Sequence, residues 1–122
     1  GKYYIKRGYS YCWWAIGGDT PTGEYGGEYS SEKMSTSSYG HISLHPILYT
    51  DHAGVACSFF GRWGLAIHGG SSSTLKVTNG CIRVLDSDMA SIERVVRNVD
   101  DIRVSVTGRQ REFPYSLGEW TV

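Results

Sequence analysis

The sequence has no surplus of charge of either sign: lysine plus arginine number 12, aspartate plus glutamate number 12, and the formal net charge is zero. Nucleic-acid binders draw much of their affinity from clustered cations on phosphates, and this composition forces no basic face, so nucleic acid is not an expected partner. No run approaches the ~20 apolar residues that a membrane-spanning helix requires, and the N-terminus lacks the basic-then-apolar pattern of a secretory signal. Internal repeats are missing as well. Cysteine is scarce and odd in number: with only Cys12, Cys57 and Cys81, at least one thiol has no internal partner. An arbitrary cysteine is a small buried hydrophobe, so only local context can give one of these a chemical role. Sequence alone does not say whether Cys12 and Cys57 pair.

What is present is a chain of 122 residues, enough for one domain with a real core and too few for two. Residues 1–122 are therefore read as a single domain, and the initial Gly in place of Met suggests one trimmed or excised from a longer chain. Nine Tyr, four Trp, three Phe and 16 Gly suit short strands joined by tight turns. The expectation is a mainly β fold, a bent mixed sheet or two packed sheets, with one helix. Residues 3–6 and 11–16 read as a hairpin, residues 17–27 as a glycine-rich loop, and 28–38 as a polar, mobile continuation. Strands are expected around Ile42 and Leu44, with a break at Pro46, and over residues 55–60. Asp86, Ser87 and Asp88 offer helix caps ahead of Met89, Ile92, Val95 and Val96, whose spacing is one helix face. Ile102, Val104 and Val106 alternate with polar residues as a closing strand.

Two segments carry chemistry. Gly64-Leu65-Ala66-Ile67-His68-Gly69-Gly70 is a short apolar run ending on a histidine and two glycines, which places His68 where strand gives way to loop. In Thr78-Asn79-Gly80-Cys81-Ile82-Arg83, a glycine turn precedes a cysteine. A thiol becomes a useful nucleophile beside a base or under backbone amides, and the turn offers the amides of Gly80 and Cys81 as oxyanion donors. His68, with an ordinary pKa near ~6.5, can take the thiol proton and return it to a leaving amine. His41, His45 and His52 match no metal-binding spacing, and neither a metal nor a cofactor is expected.

These residues resemble the L,D-transpeptidase (YkuD-like) family, whose motif is His-Gly, a variable loop, then Ser or Thr, one residue, Gly-Cys, an aliphatic residue and often Arg. Here that is His68-Gly69 followed by Thr78-Asn79-Gly80-Cys81-Ile82-Arg83. Upstream, Asp19-Thr20-Pro21-Thr22-Gly23-Glu24-Tyr25 is similar to the family's Thr-Pro loop, and Tyr39-Gly40-His41 through Leu44 to its middle strand. The likeness covers roughly residues 17–108. His68 and Cys81 lie 13 positions apart, a shorter interval than in many relatives, and the strands before the Thr-Pro loop look abbreviated, as in toxin domains aimed at rival cell walls.

The resemblance implies that Cys81 attacks the carbonyl of an L-centre to D-alanine bond in a peptidoglycan stem peptide and becomes a thioester. An amine then makes a crosslink, or water makes the site an L,D-carboxypeptidase. It implies that a backbone carbonyl, of Gly69 or Gly70, orients His68, and that Arg83, Thr78, Asn79 and Gly70 contact substrate or brace the turn. Trp63 is the aromatic best placed to line a groove. The site of action implied is extracytoplasmic: periplasm, cell wall or secreted. Two alternatives keep the same fold: a secreted antibacterial effector, with an immunity protein as partner, and a module that binds cell-wall peptide without turning it over.

Overall fold

The computed structural model describes residues 5–6, 12–15, 17–34, 37–70, 78, 80–108 and 110. Six strands and two helices follow in the order β1 (Ile5–Lys6), β2 (Gly23–Ser30), β3 (His41–Pro46), α1 (His52–Phe60), β4 (Ala66–His68), β5 (Ile82–Val84), α2 (Asp86–Val96) and β6 (Ile102–Val106). The strands form one mixed sheet in the order β1-β5-β4-β3-β2-β6. Only β4 and β5 run parallel; every other neighbouring pair is antiparallel. The β-rich expectation therefore holds, as a single sheet with a second helix added.

The sheet has one apolar and one polar face because side chains alternate along each strand and the registers carry that alternation across. Tyr25, Ile42, Leu44, Ile82, Val84, Ile102 and Val106 make the apolar side, with Met89 of α2 fully buried against it and Ile92 and Val96 packed alongside. Burial at ~25 cal/mol per Å² of apolar surface is what holds the helix there. On the opposite side the registers line up Glu28, Ser43 and Ala66 in one row and Ser30 with His41 in the next. Further along, His68 stands level with Arg83.

Four expectations need correction. Residues 55–60 lie in α1 rather than a strand. Asp51 caps this helix by accepting from the Gly54 amide at 2.8 Å, and small side chains at Ala53, Ala56 and Cys57, spaced for one helix face, are buried. The glycine-rich segment is strand from Gly23 onward, and β2 continues to Ser30 through what reads as mobile polar chain. Gly27 fits this strand because a Cβ there would come within 2.7 Å of Ile102 and 2.9 Å of Ile42, so the bare backbone makes room for two core side chains. Residues 12–15 form a turn, not the second arm of a hairpin, and β1 pairs with β5. Trp13, 2 % exposed, stacks on His52 with centroids 3.9 Å apart, so its ring packs against α1. Finally, α2 begins after Leu85 with no side-chain cap, because the cap position falls on an apolar side chain and Asp86 is already the first helical residue. Residues 75–77 and the tail from 111 to 122 lie outside the described residues.

Candidate active site

His68 closes β4 and Cys81 immediately precedes β5. The parallel register that pairs Ile67 with Ile82 and His68 with Arg83 sets Cys81 level with Ala66, so Cys81 and His68 share the polar face on adjacent strands, one pleat apart on a diagonal. Ala66, the smallest side chain of the row, lies level with Cys81 and is itself buried at 2 % exposure. The Cys81 sulfur lies 3.8 Å from the Gly64 carbonyl oxygen, so in this resting arrangement the thiol points toward the preceding loop rather than at the imidazole.

The imidazole is oriented by its own backbone: Nδ1 of His68 bonds the carbonyl oxygen of Gly69. A carbonyl only accepts, so Nδ1 carries the proton and Nε2 keeps the lone pair that a base needs. The glycines that follow are held by Asp86, whose Oδ1 accepts from the Gly70 amide at 3.0 Å, while its two oxygens accept from the Ser38 amide at 3.4 and 3.3 Å. Asp86 stands in the first turn of α2, where the helix dipole favours a carboxylate. Gly69 must be a glycine here, since a Cβ would fall 2.3 Å from the same Asp86 oxygen.

The nucleophile turn is braced from both sides. The Thr78 hydroxyl donates to the Cys81 carbonyl and accepts from the Gly80 amide at 3.1 Å, and the Thr20 hydroxyl donates to the Gly80 carbonyl. Beneath it lies Arg62, 4 % exposed, donating to the carbonyls of Trp13 at 2.6 Å, Asp19 at 3.3 Å and Gly18 at 3.2 Å. Gly80 has φ of 119°, and a Cβ would meet the Arg62 guanidinium at 2.2 Å, so both conformation and space demand glycine.

Burial acts on both reacting groups. It pushes the Cys81 thiol above its ordinary pKa, against the opposite pull of a backbone hydrogen bond from Ala66 and the cations Arg83 and Arg62. It also lowers His68, partly offset by the Gly69 carbonyl and reinforced by Arg83 and His41. Burial thus disfavours the charged form of each group.

No family model, no curated protein and no solved structure matches this chain. The site must therefore be read from its own atoms.

Of the residues expected to act, His68, Gly69, Gly80, Cys81 and Arg83 meet around one corner of the polar face. Arg83 stands beside both His68 and Cys81, and its buried Nε has no hydrogen-bond partner. Asn79 lies outside the described residues. Two expected roles change, and Thr78 takes the bracing one of its two expected roles. The Gly80 amide is occupied by Thr78, which leaves Cys81's as the remaining oxyanion candidate of the turn. The Gly70 amide is occupied by Asp86, and Thr78 is buried in the turn, so both frame the site instead of touching substrate.

Arg62 and Gln110 had no recognised role in the sequence, and Asp86 was read only as a helix cap. Gln110 ties down the Thr-Pro loop, donating to the Thr20 carbonyl at 2.7 Å and accepting from the Thr22 amide at 2.8 Å. The one signal for Arg62 was an arginine set between glycines in Gly61-Arg62-Trp63-Gly64. His52 stacks on Trp13, away from His41 and His45 on β3, and among the described residues no cluster of three His, Cys, Asp or Glu side chains is placed to hold a metal. No helix among them is long and apolar enough to cross a membrane.

Proposed function

We propose that this domain is a cysteine acyltransferase or peptidase acting on peptidoglycan stem peptides through a thioester on Cys81. The observation that carries the proposal is the pairing of Cys81 and His68 on one face of adjacent parallel strands, with the imidazole held in the tautomer whose Nε2 accepts a proton.

In this mechanism the substrate carbonyl is taken up at Cys81. His68 Nε2 takes the thiol proton as sulfur attacks, and the oxyanion draws on the Cys81 amide. The C–N bond breaks, His68 returns the proton to the departing D-alanine amine, and a thioester remains. Arg83, with an unpaired buried Nε and a place beside both reacting groups, is suited to a substrate carboxylate by the paired donors of its guanidinium. Water or an amine then resolves the thioester. The choice of stem peptide over other peptide carbonyls comes from the motif resemblance, and it assigns the domain to the space outside the cytoplasm, where mature wall lies.

The test is to incubate the domain with a disaccharide-tetrapeptide and follow the products by mass spectrometry, with Cys81→Ala in parallel. Loss of D-alanine or a crosslinked dimer, absent in the variant, is the expected result. Binding without turnover by the wild-type domain would replace the proposal with a recognition module.

A further inference from the structure

The polar face carries a second histidine prepared in the same way as the first. The antiparallel register that pairs Ile42 with Ile67 and Ser43 with Ala66 brings His41, the first residue of β3, opposite His68, the last residue of β4, on the same side of the sheet. His41 is 9 % exposed, and its Nδ1 bonds the Glu32 carbonyl oxygen at 2.8 Å. The reasoning applied to His68 applies again: a carbonyl can only accept, so Nδ1 holds the proton and Nε2 holds the lone pair. Two neighbouring imidazoles are each locked by a backbone carbonyl into the form that receives a proton. The electrostatic influence of His41 on His68 agrees with their adjacency.

Their positions are not equivalent. Cys81 lies on the β5 side of His68, and His41 on the β3 side. On that far side His41 lines an open recess of about 640 Å³ together with Glu28, Ser30, Glu32 and Ser43. The charged and titratable groups around His41 are Glu28 on β2, Glu32 in the following loop, His68 on β4 and, beyond it, Arg83 on β5. Glu93 of α2 accepts from the neighbouring Gly40 amide at 2.9 Å. Glu28 and Glu32 line the recess, so the recess favours a cation, while Arg83 lies on the Cys81 side of His68.

Resolving a thioester with water requires one proton acceptor. Resolving it with an alkylamine requires two, because at neutral pH the amine arrives as an ammonium and must lose one proton before attack and a second after it. Resting on the acyl-enzyme reading above, we propose that His41 is the second proton acceptor of the site, unloading an ammonium-bearing acceptor held in the recess, and that the domain is built for aminolysis over hydrolysis. The acceptor ammonium gives one proton to His41 Nε2 and becomes a neutral amine. Its lone pair forms the C–N bond to the thioester carbon, and its second proton passes to His68. The C–S bond breaks, His68 returns its proton to sulfur, and His41 releases its proton to solvent through the recess. Thioester and ammonium become amide, thiol and one released proton.

The experiment loads the wild-type domain and His41→Asn with a tetrapeptide donor, then offers water, an alkylammonium acceptor, and hydroxylamine, an amine already uncharged at neutral pH. Asn keeps a donor for the Glu32 carbonyl and removes the basic nitrogen. Acylation of Cys81, read as the covalent adduct by mass spectrometry, should be unchanged, which also shows that the variant is folded; His41→Gln serves if Asn does not fold. Aminolysis by the alkylammonium should fall by about 10²-fold, the usual scale for a lost general base. Hydrolysis and the hydroxylamine reaction should hold within about threefold, well inside that effect. An equal fall for all three acceptors, or none for any, overturns the role of His41 while leaving the acyl-enzyme intact. A wild-type domain that never acylates overturns both proposals.

Discussion

At the scale of single residues, the proposed chemistry rests on two groups whose charged forms burial disfavours. Burial holds the Cys81 thiol up and His68 down. Neutral His68 is the active form and its pKa is depressed, so kcat/KM for acylation should lose activity on the acid side only below the pH range of an ordinary histidine. Iodoacetamide labelling of Cys81, followed by mass spectrometry against pH, should reach its midpoint above that of free cysteine; a lower midpoint would reveal a preformed thiolate. Arg62 makes a second prediction. Arg62→Met would remove the buried donor shared by the carbonyls of Trp13, Gly18 and Asp19, and the domain should lose about 1–3 kcal/mol in urea denaturation, the scale for lost buried hydrogen bonding. The two segments that the sheet brings together, ending on His68 and starting at Cys81, stood out in the sequence because glycines flank both. Arg62 and His41 did not, because their importance rests on carbonyls and strand partners distant in the chain.

At the scale of elements, α2 does more than cover the core. Its first residue, Asp86, reaches across to the amides of Gly70 and Ser38 and so ties the loop after the base to the helix after the nucleophile. Asp86→Ala should lower kcat about tenfold with little change in KM, since positional error in a general base costs rate more than binding. Restoring an acceptor with Asp86→Asn should recover part of it, and steady-state kinetics on the two variants separates the cases. α1 depends on Asp51, which accepts from the Gly54 amide and, at 2.9 Å, from the Glu24 amide on β2. Asp51→Ala should cost about 2 kcal/mol, the upper end for a cap, read from the shift in thermal unfolding. This helix was misread as a strand because residues 55–60 are apolar but for Ser58, and a short apolar run does not distinguish the two. The signals that decide it, Asp51 and the small-residue face, sit at its start.

At the scale of the whole molecule, one sheet divides its labour between faces. Met89, with no exposed surface, is the contact through which α2 closes the apolar face. Met89→Ala should cost about 2–5 kcal/mol, a large share of the ~5–15 kcal/mol available to a domain of this size, and should unfold much of the protein at 37 °C by circular dichroism. The β-rich class was legible from the aromatic and glycine content and from the alternation in β3 and β6. The strand order was not, since nothing local to residues 66–68 and 82–84 announces that they run side by side and parallel.

That parallel pair has a consequence for anyone preparing the protein. Strand registers permit no half-measures: a slip of a single residue between β4 and β5 would send His68 or Cys81 to the apolar face. A mispaired molecule is therefore silent, not sluggish, and does not dilute a rate with intermediate behaviour. Titrating the acyl-enzyme in any preparation should count native molecules directly, and the turnover per titrated thiol should be the same in a good batch and a poor one.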